Sequence, residues 1–209
     1  MEIKLQELTG NWNVGVALNL HTTSSTKTID SYGNEKWDTV RPEIGEELYR
    51  LKYYNEANSI KKGRVNKIAD AFNTLIGQLK IAISKKLNNK FNIDYIIPVP
   101  PSKSREFKLV EELAKKVSEL AKIPLDLTTL KKVKSTLELK KIDNIKEKAK
   151  ILDGAFDIKK GAFKNKNVLL LDDVYSSGST VKEITKTLKE KGEAKKVIVL
   201  TVTKTRSKR

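Results

Sequence analysis

Two adjacent carboxylates, Asp172 and Asp173, follow the apolar run Val168 to Leu171 and precede a string of small polar residues, Ser176, Ser177, Gly178, Ser179 and Thr180. A short aliphatic run bounded by polar residues has the pattern of a buried strand, so the acid pair falls at that strand's carboxyl end. There the carboxylates can accept hydrogen bonds from the vicinal diol of a sugar and attract a divalent cation. The small residues, with Tyr175 at their head, can turn backbone amides inward. A helix with Val181, Ile184 and Leu188 on one face comes next, and its positive end suits a phosphate. Gly178 permits a positive φ and close approach of a ligand, and the hydroxyls add donors without bulk. The plainer alternative is a strand–loop–helix junction whose Asp and Ser merely cap the helix. A cap accounts for one residue; it does not account for an acid pair followed by five small ones. The run reads as a sugar-phosphate site.

A second loop supports it. Ile96 to Phe107 (IIPVPPSKSREF) places polar residues directly after another apolar strand. Lys103 and Arg105 can reach a pyrophosphate, while Ser102 and Ser104 leave their amides accessible. Basic residues near prolines are common in loops, so this signal gains its weight from its order before the acid-pair strand.

These residues need a scaffold, and the pattern supplies one. Residues 1 to about 40 read as short strands and turns, with Val14 to Leu20 as a strand and a Tyr-Gly-Asn turn in the polar stretch after it. From Pro42 the pattern is helical through Tyr54, with a break expected near Asn55 to Gly63. A strong amphipathic helix follows, marked by Val65, Ile68, Ala69, Phe72, Leu75, Ile76 and Leu79. From Asp94 onward strands and helices alternate: a strand ending in prolines, a helix over Phe107 to Lys122, and a short strand over Asp126 to Val133. A short helix over Asn144 to Leu152, the acid-pair strand with its helix, and a closing strand over Lys195 to Thr205 complete the pattern. Alternation of this kind implies a mostly parallel sheet covered on both faces, whose ligands bind at the carboxyl ends of the strands.

Bulk properties bound the rest. With 209 residues the chain can bury a sizeable core. It has no cysteine, which excludes disulfides, thiol nucleophiles and zinc ribbons. Its one histidine, His21, cannot build a metal site alone and reads as an ordinary polar surface residue. No apolar stretch approaches spanning length and the start lacks a signal-peptide core, so a soluble, cytoplasmic protein with no membrane partner is expected. The net charge of +16 and pI near 9.7 favour anionic partners, whether phosphorylated small molecules or nucleic acid. The lysines are not interleaved with aromatic residues, so no stacking platform for a single strand is visible.

The run Val168 to Thr180 resembles the signature of type I phosphoribosyltransferases: an apolar strand, two acids, two variable residues, then Thr-Thr-Gly-x-Thr, here with Ser176 and Ser177 in place of the two threonines. The resemblance is closest to ComF-like proteins, through the Pro-Val-Pro segment with basic residues after it, Gly154-Ala155-Phe156, and Leu51-Lys52-Tyr53. It covers roughly Arg50 to Thr205. The amino-terminal zinc ribbon of those proteins is missing, and Leu139 and Ile151 stand where they often carry Gln and Asn. The resemblance implies an α/β phosphoribosyltransferase fold, a mostly parallel twisted sheet flanked by helices. Residues 1–90 would form a β-rich and helical hood with the first core helices, and 91–209 the core.

It also implies phosphoribosyl pyrophosphate as donor and Mg²⁺ as cofactor, held through the substrate with help from Asp172 and Asp173 as the catalytic acids. Tyr175 to Thr180 would take the 5′-phosphate, and Ser102, Lys103, Ser104 and Arg105 the pyrophosphate. Lys131, Lys132 and Lys134 would lie in a flexible loop that closes over the site, or else on a solvated surface. Hypoxanthine-type salvage enzymes carry an acid where Ser176 stands, which disfavours that subclass. Trp12, Trp37, Tyr53 and Tyr54 are candidates for stacking on an acceptor base, or core residues. Three readings stay open: a phosphoribosyltransferase with an unidentified acceptor, a non-catalytic sensor of phosphoribosyl pyrophosphate or a nucleoside monophosphate, and a ComF-like protein of DNA uptake that binds single-stranded nucleic acid. A homodimer is compatible with each.

Overall fold

The computed structural model describes residues 2–88, 90–101, 107–134, 142 and 144–206. In chain order its elements begin with β1 (Gln6–Glu7), β2 (Val14–Leu20), β3 (Ser24–Ile29), β4 (Glu35–Val40), α1 (Glu43–Tyr53), α2 (Asn58–Leu87), β5 (Tyr95–Pro98) and α3 (Leu109–Ala121). They continue with β6 (Lys131–Lys132), α4 (Ile145–Leu152), β7 (Phe156–Asp157), β8 (Asn167–Tyr175), α5 (Ser179–Glu190) and β9 (Lys196–Lys204). The central sheet runs β1-β2-β9-β8-β5. Every pairing in it is parallel except β1 with β2. The most apolar strands, β8 and β9, take the middle, as strands covered on both faces should.

Period-two alternation divides their side chains between two cores. Leu169, Leu171, Ile198, Leu200 and Val202 face a layer built by α1, α2 and α3. Val168, Leu170, Val197 and Val199 face α5 with Leu152 of α4. Because the central pairings are parallel, β2, β9, β8 and β5 all present their carboxyl ends along one edge. The register sets Leu20 beside Lys204 and Lys204 beside Tyr175. The antiparallel hairpin β3–β4 therefore leaves the sheet at the edge that bears the acid pair.

The structure adjusts two expected boundaries. The break expected to reach Gly63 ends at Ala57, and Gly63 lies inside α2. A helical glycine costs about 1 kcal/mol, and the buried stripe Val65, Ile68, Ala69, Phe72, Leu75 and Ile76 outweighs it. The strand expected over Asp126 to Val133 shrinks to the two residues of β6, paired with β7. Asp126 turns the chain instead, its carboxylate accepting the Thr128 and Thr129 amides at 2.9 and 2.8 Å.

α1 is fastened from two sides. Ile44, Leu48 and Leu51 form its buried stripe, and Glu47 is buried with them. The Glu47 carboxylate accepts Lys67 Nζ at 2.8 Å and a further hydrogen bond from Arg64. Arg64 also grips Glu56 with two nitrogens, at 2.7 and 2.8 Å. Burial alone would push the Glu47 carboxyl up, but the hydrogen bonds from Lys67 and Arg64 carry it below its ordinary value. Such a pair is costly to break, since removing one partner strands a buried charge.

Arg64→Met is therefore expected to destabilise the fold by about 2–4 kcal/mol, measured by urea unfolding at pH 7. A carboxylate with a lowered folded pKa contributes stability above its unfolded value, which is lost as pH falls through the folded value. The gap between wild type and variant should thus narrow in acid; a loss under about 0.5 kcal/mol at pH 7 would contradict the assignment.

Candidate functional site

Val168 to Leu171 are fully buried, and the strand carries the acid pair past the edge of this core. Alternation sends Asp173 out on the side of Leu169 and Leu171, over α1, and Asp172 on the side of Leu170. Both carboxylates nevertheless line one cavity of about 260 Å³, together with Lys52, Pro100, Pro101, Lys108, Lys132, Phe156 and Thr180. Asp172 Oδ1 accepts the Asp173 amide at 2.8 Å, which fixes the pair side by side. Asp173 Oδ2 accepts Lys52 Nζ at 2.8 Å.

The two acids are electrostatically unequal. Burial, then the charge of Asp173, pushes the Asp172 carboxyl up to about 8, against the opposing pull of the Asp173 amide and Lys52. Two carboxylates this close cannot both be charged cheaply, so the pair attracts further positive charge. Their hard oxygen donors suit a divalent cation. Among the described residues no group of three or more His, Cys, Asp or Glu could hold a metal alone, so a cation here would take most of its ligands from substrate and water.

Beyond the acids the chain makes its small-residue turn. Gly178 has φ 72° and caps α5. A Cβ there would come within 2.5 Å of the Tyr175 ring, so both the positive φ and the close approach require glycine. Ser177 and Ser179 hydroxyls share a hydrogen bond of 2.9 Å. Ser176 is exposed, and Thr180 reaches the cavity. The first turn of α5 carries no acidic residue, so no side-chain charge cancels its positive dipole end, though the Ser179 amide donates to Ser177 Oγ at 3.4 Å.

Tyr175 needs correcting as a phosphate-binding side chain. Its ring is buried beneath Gly178, it packs edge-on against Trp12 at 6.0 Å, and its hydroxyl donates to Thr9 O at 3.0 Å. It is the floor of the loop. The three candidate lysines separate as well. Lys132 lines the cavity; Lys131 lines a neighbouring open cleft; Lys134 donates to Asp153 O at 2.7 Å, away from the acids. Ser102, Lys103, Ser104 and Arg105 lie outside the described residues, though Pro101 and Phe107 on either side of them line the cavity. Of the aromatic candidates, Trp12 is core, while Trp37 on β4 and Tyr53 and Tyr54 at the end of α1 are exposed.

The family profile of the phosphoribosyl transferase domain matches residues 70–209, which contain the acid pair and the small-residue turn. The chain belongs to the phosphoribosyltransferase domain family. It is a phosphoribosyltransferase whose acceptor the family does not specify. No curated protein sequence matches it. Among solved structures it is similar to the purine phosphoribosyltransferase of Pyrococcus horikoshii Ot3, at 19% identity and TM-score 0.39, covering 67% of this chain and 72% of that one. It is also similar to an adenine phosphoribosyltransferase of Trypanosoma brucei solved with AMP, pyrophosphate and ribose-5-phosphate, at 13% identity and TM-score 0.42, covering 96% and 74%. A third is the glutamine phosphoribosylpyrophosphate amidotransferase of B. subtilis, at 16% identity and TM-score 0.43, covering 84% of this chain and 35% of that one.

Two residues electrostatically coupled to the acid pair are not legible in the local sequence pattern. Lys52 entered only through the Leu-Lys-Tyr resemblance, yet its position four residues after the buried Leu48 puts it on the inward stripe of α1. His21, expected on the surface, is partly buried at the end of β2, with Nδ1 3.1 Å from Thr203 Oγ1. Burial, then Lys52 and Arg41, lower its pKa against the opposing pull of Asp173, so it is neutral at pH 7. The strand register was the missing signal: β9 brings Thr203 beside β2 and β8 together.

Asp172→Asn tests the strained acid pair. A carboxyl raised from 3.8 to about 8 on folding gives stability that is complete below the unfolded value and lost as pH rises through the folded one. The Asn variant should match wild type near pH 4 and be the more stable of the two at pH 8, by thermal unfolding without ligand. A variant less stable than wild type at pH 8 would contradict the raised pKa.

Proposed function

We propose that the protein transfers the phosphoribosyl group of phosphoribosyl pyrophosphate to a small acceptor. The observation that carries this reading is that the acid pair and Thr180, in the first turn of the glycine-capped helix α5, line the same cavity. A ligand with hydroxyls about one sugar's width from a phosphate is the chemistry that uses both. In this reading Asp172 and Asp173 hold the ribose diol, and Ser176, Ser177, Gly178, Ser179 and Thr180 take the 5′-phosphate, largely through backbone amides. Ser102, Lys103, Ser104 and Arg105 take the pyrophosphate. Lys131 and Lys132 form the strand β6 rather than a loop; Lys132, lining the cavity, neutralises pyrophosphate and helps to exclude water from a reactive cation.

As the bond from C1 to pyrophosphate weakens, positive charge develops on the ribose, and the oxygen atoms of the acid pair oppose it at short range. The acceptor nucleophile forms its bond to C1, surrenders a proton, and pyrophosphate leaves. Mg²⁺, which Asp172 and Asp173 would help to hold, would supply charge neutralisation for the leaving group. The phosphate loop contributes positioning. Residues 1–90 serve as hood and first core helices, with the exposed Trp37, Tyr53 and Tyr54 as candidates for contact with the acceptor.

A ComF-like placement is supported by Leu51-Lys52-Tyr53 and Gly154-Ala155-Phe156, since Lys52 and Phe156 both line the cavity. A cytoplasmic setting accords with the absence of cysteine. Among the described residues no helix is long and apolar enough to cross a membrane. One observation favours a second reading, a ligand sensor that also binds nucleic acid. An open cleft of about 1030 Å³ beside β6 carries Lys131, Lys159, Lys160 and Lys191, on a chain of net charge +16.

With Mg²⁺ present, phosphoribosyl pyrophosphate should raise the melting temperature, as any ligand of the folded state does, and Asp173→Ala should abolish the shift while remaining folded. Pyrophosphate release with a panel of bases and amines then separates enzyme from sensor. An Asp173→Ala variant that binds as wild type does by calorimetry would sink the site. Failure to bind single-stranded DNA at moderate salt would remove the nucleic-acid reading.

A further inference from the structure

We infer that Lys52 binds the pyrophosphate moiety of the substrate and rests on Asp173 until the sugar displaces it. The inference depends on the phosphoribosyl pyrophosphate reading proposed above and assigns a residue that the signature motifs do not include.

Three observations carry it. Lys52 Nζ lies 2.8 Å from Asp173 Oδ2, and both side chains are largely shielded, at 18% and 21% exposure. Lys52 lines the same cavity as Asp172, Thr180 and Pro101. It stands one turn beyond Leu48 on the buried stripe of α1, where an aliphatic residue would leave Asp173 without its ammonium partner. Drawing an ammonium out of water is expensive unless its partner compensates, so the placement calls for a purpose.

A simple clip between α1 and β8 is a poor candidate for that purpose. α1 is already fixed by Ile44, Leu48 and Leu51, and by Glu47 with Arg64 and Lys67. What the network does achieve is to hold the backbone of Lys52 in register while leaving its four-carbon stem free to move. The incoming substrate would supply both halves of an exchange. Its diol gives Asp173 new hydrogen-bond donors, and its pyrophosphate gives the released ammonium new acceptors in the same cavity. A compact charge on a flexible stem suits a leaving group that shifts as its bond breaks. Before binding, the same ammonium offsets the repulsion between Asp173 and Asp172 and so keeps the acid pair ready.

The test is isothermal calorimetry on wild type, Lys52→Met and Lys52→Arg with three probes, phosphoribosyl pyrophosphate, inorganic pyrophosphate and ribose 5-phosphate, all with Mg²⁺. Lys52→Met is expected to weaken the two pyrophosphate-bearing probes by about tenfold to a hundredfold, and ribose 5-phosphate by no more than about twofold. Lys52→Arg should recover most of the loss. Should Lys52→Met fail to fold, Lys52→Gln carries the same comparison. Equal weakening of all three probes would show that Lys52 merely orients Asp173 and would overturn the inference, as would unchanged affinities. Wild-type protein that binds none of the probes would sink the phosphoribosyl pyrophosphate reading itself, and this inference with it.

Discussion

Two carboxylates side by side at the end of an apolar strand repel each other and resist desolvation, and the surroundings of β8 are arranged about that constraint. Burial and the neighbouring charge push Asp172 toward its neutral form, while Asp173 is held by a lysine from a different layer of the fold. The sheet makes the problem by delivering both acids at its edge. α1 relieves half of it through Lys52, and α1 can do so only because Glu47, Arg64 and Lys67 set its position from behind. The residual strain is a reason for the site to welcome a ligand that brings hydroxyl donors and positive charge.

The phosphate side of the site depends on a second support, and it comes from the beginning of the chain. Position 178 must be glycine because a Cβ there would run into the Tyr175 ring. That ring is fixed by Trp12 and by the Thr9 carbonyl. The strand that carries these residues into place, β2, pairs with β9 and so shares the central sheet. The amino-terminal segment thus contributes the floor of the loop and, through α1, Leu51 and Lys52 to the cavity lining.

Much of this was legible in the sequence because the signals were local. Four consecutive aliphatic residues before two acids can only be a buried strand ending in charge, and a glycine among serines before an amphipathic helix can only be a tight turn into that helix. The parallel sheet followed from alternation of elements. What escaped was non-local. Tyr175 adjoins the loop in sequence, and only the packing of Trp12 against it shows that its side chain turns inward. Lys131, Lys132 and Lys134 look alike as text, but the short β6–β7 pairing sends Lys132 to the cavity and Lys131 toward the cleft. Lys52 is one of many lysines until α1 is docked. His21 looked superficial because the sequence does not reveal that β9 will lie beside β2.

The contrast between the chain's overall charge and its acidic centre bears on how a substrate would be oriented. A net charge of +16 raises the local concentration of any polyanion and speeds its encounter with the surface, but a uniformly basic pocket would accept that polyanion in either direction. The acid pair breaks the symmetry. It repels phosphate groups from the middle of the cavity and leaves them two places to go, the helix end at Gly178 and the basic rim around Lys52, Lys108 and Lys132. In the proposed reading, a molecule with phosphates at both ends and hydroxyls between them would lie in line, with its sugar against the acids. Local repulsion inside a global attraction is what converts a sticky surface into an oriented site.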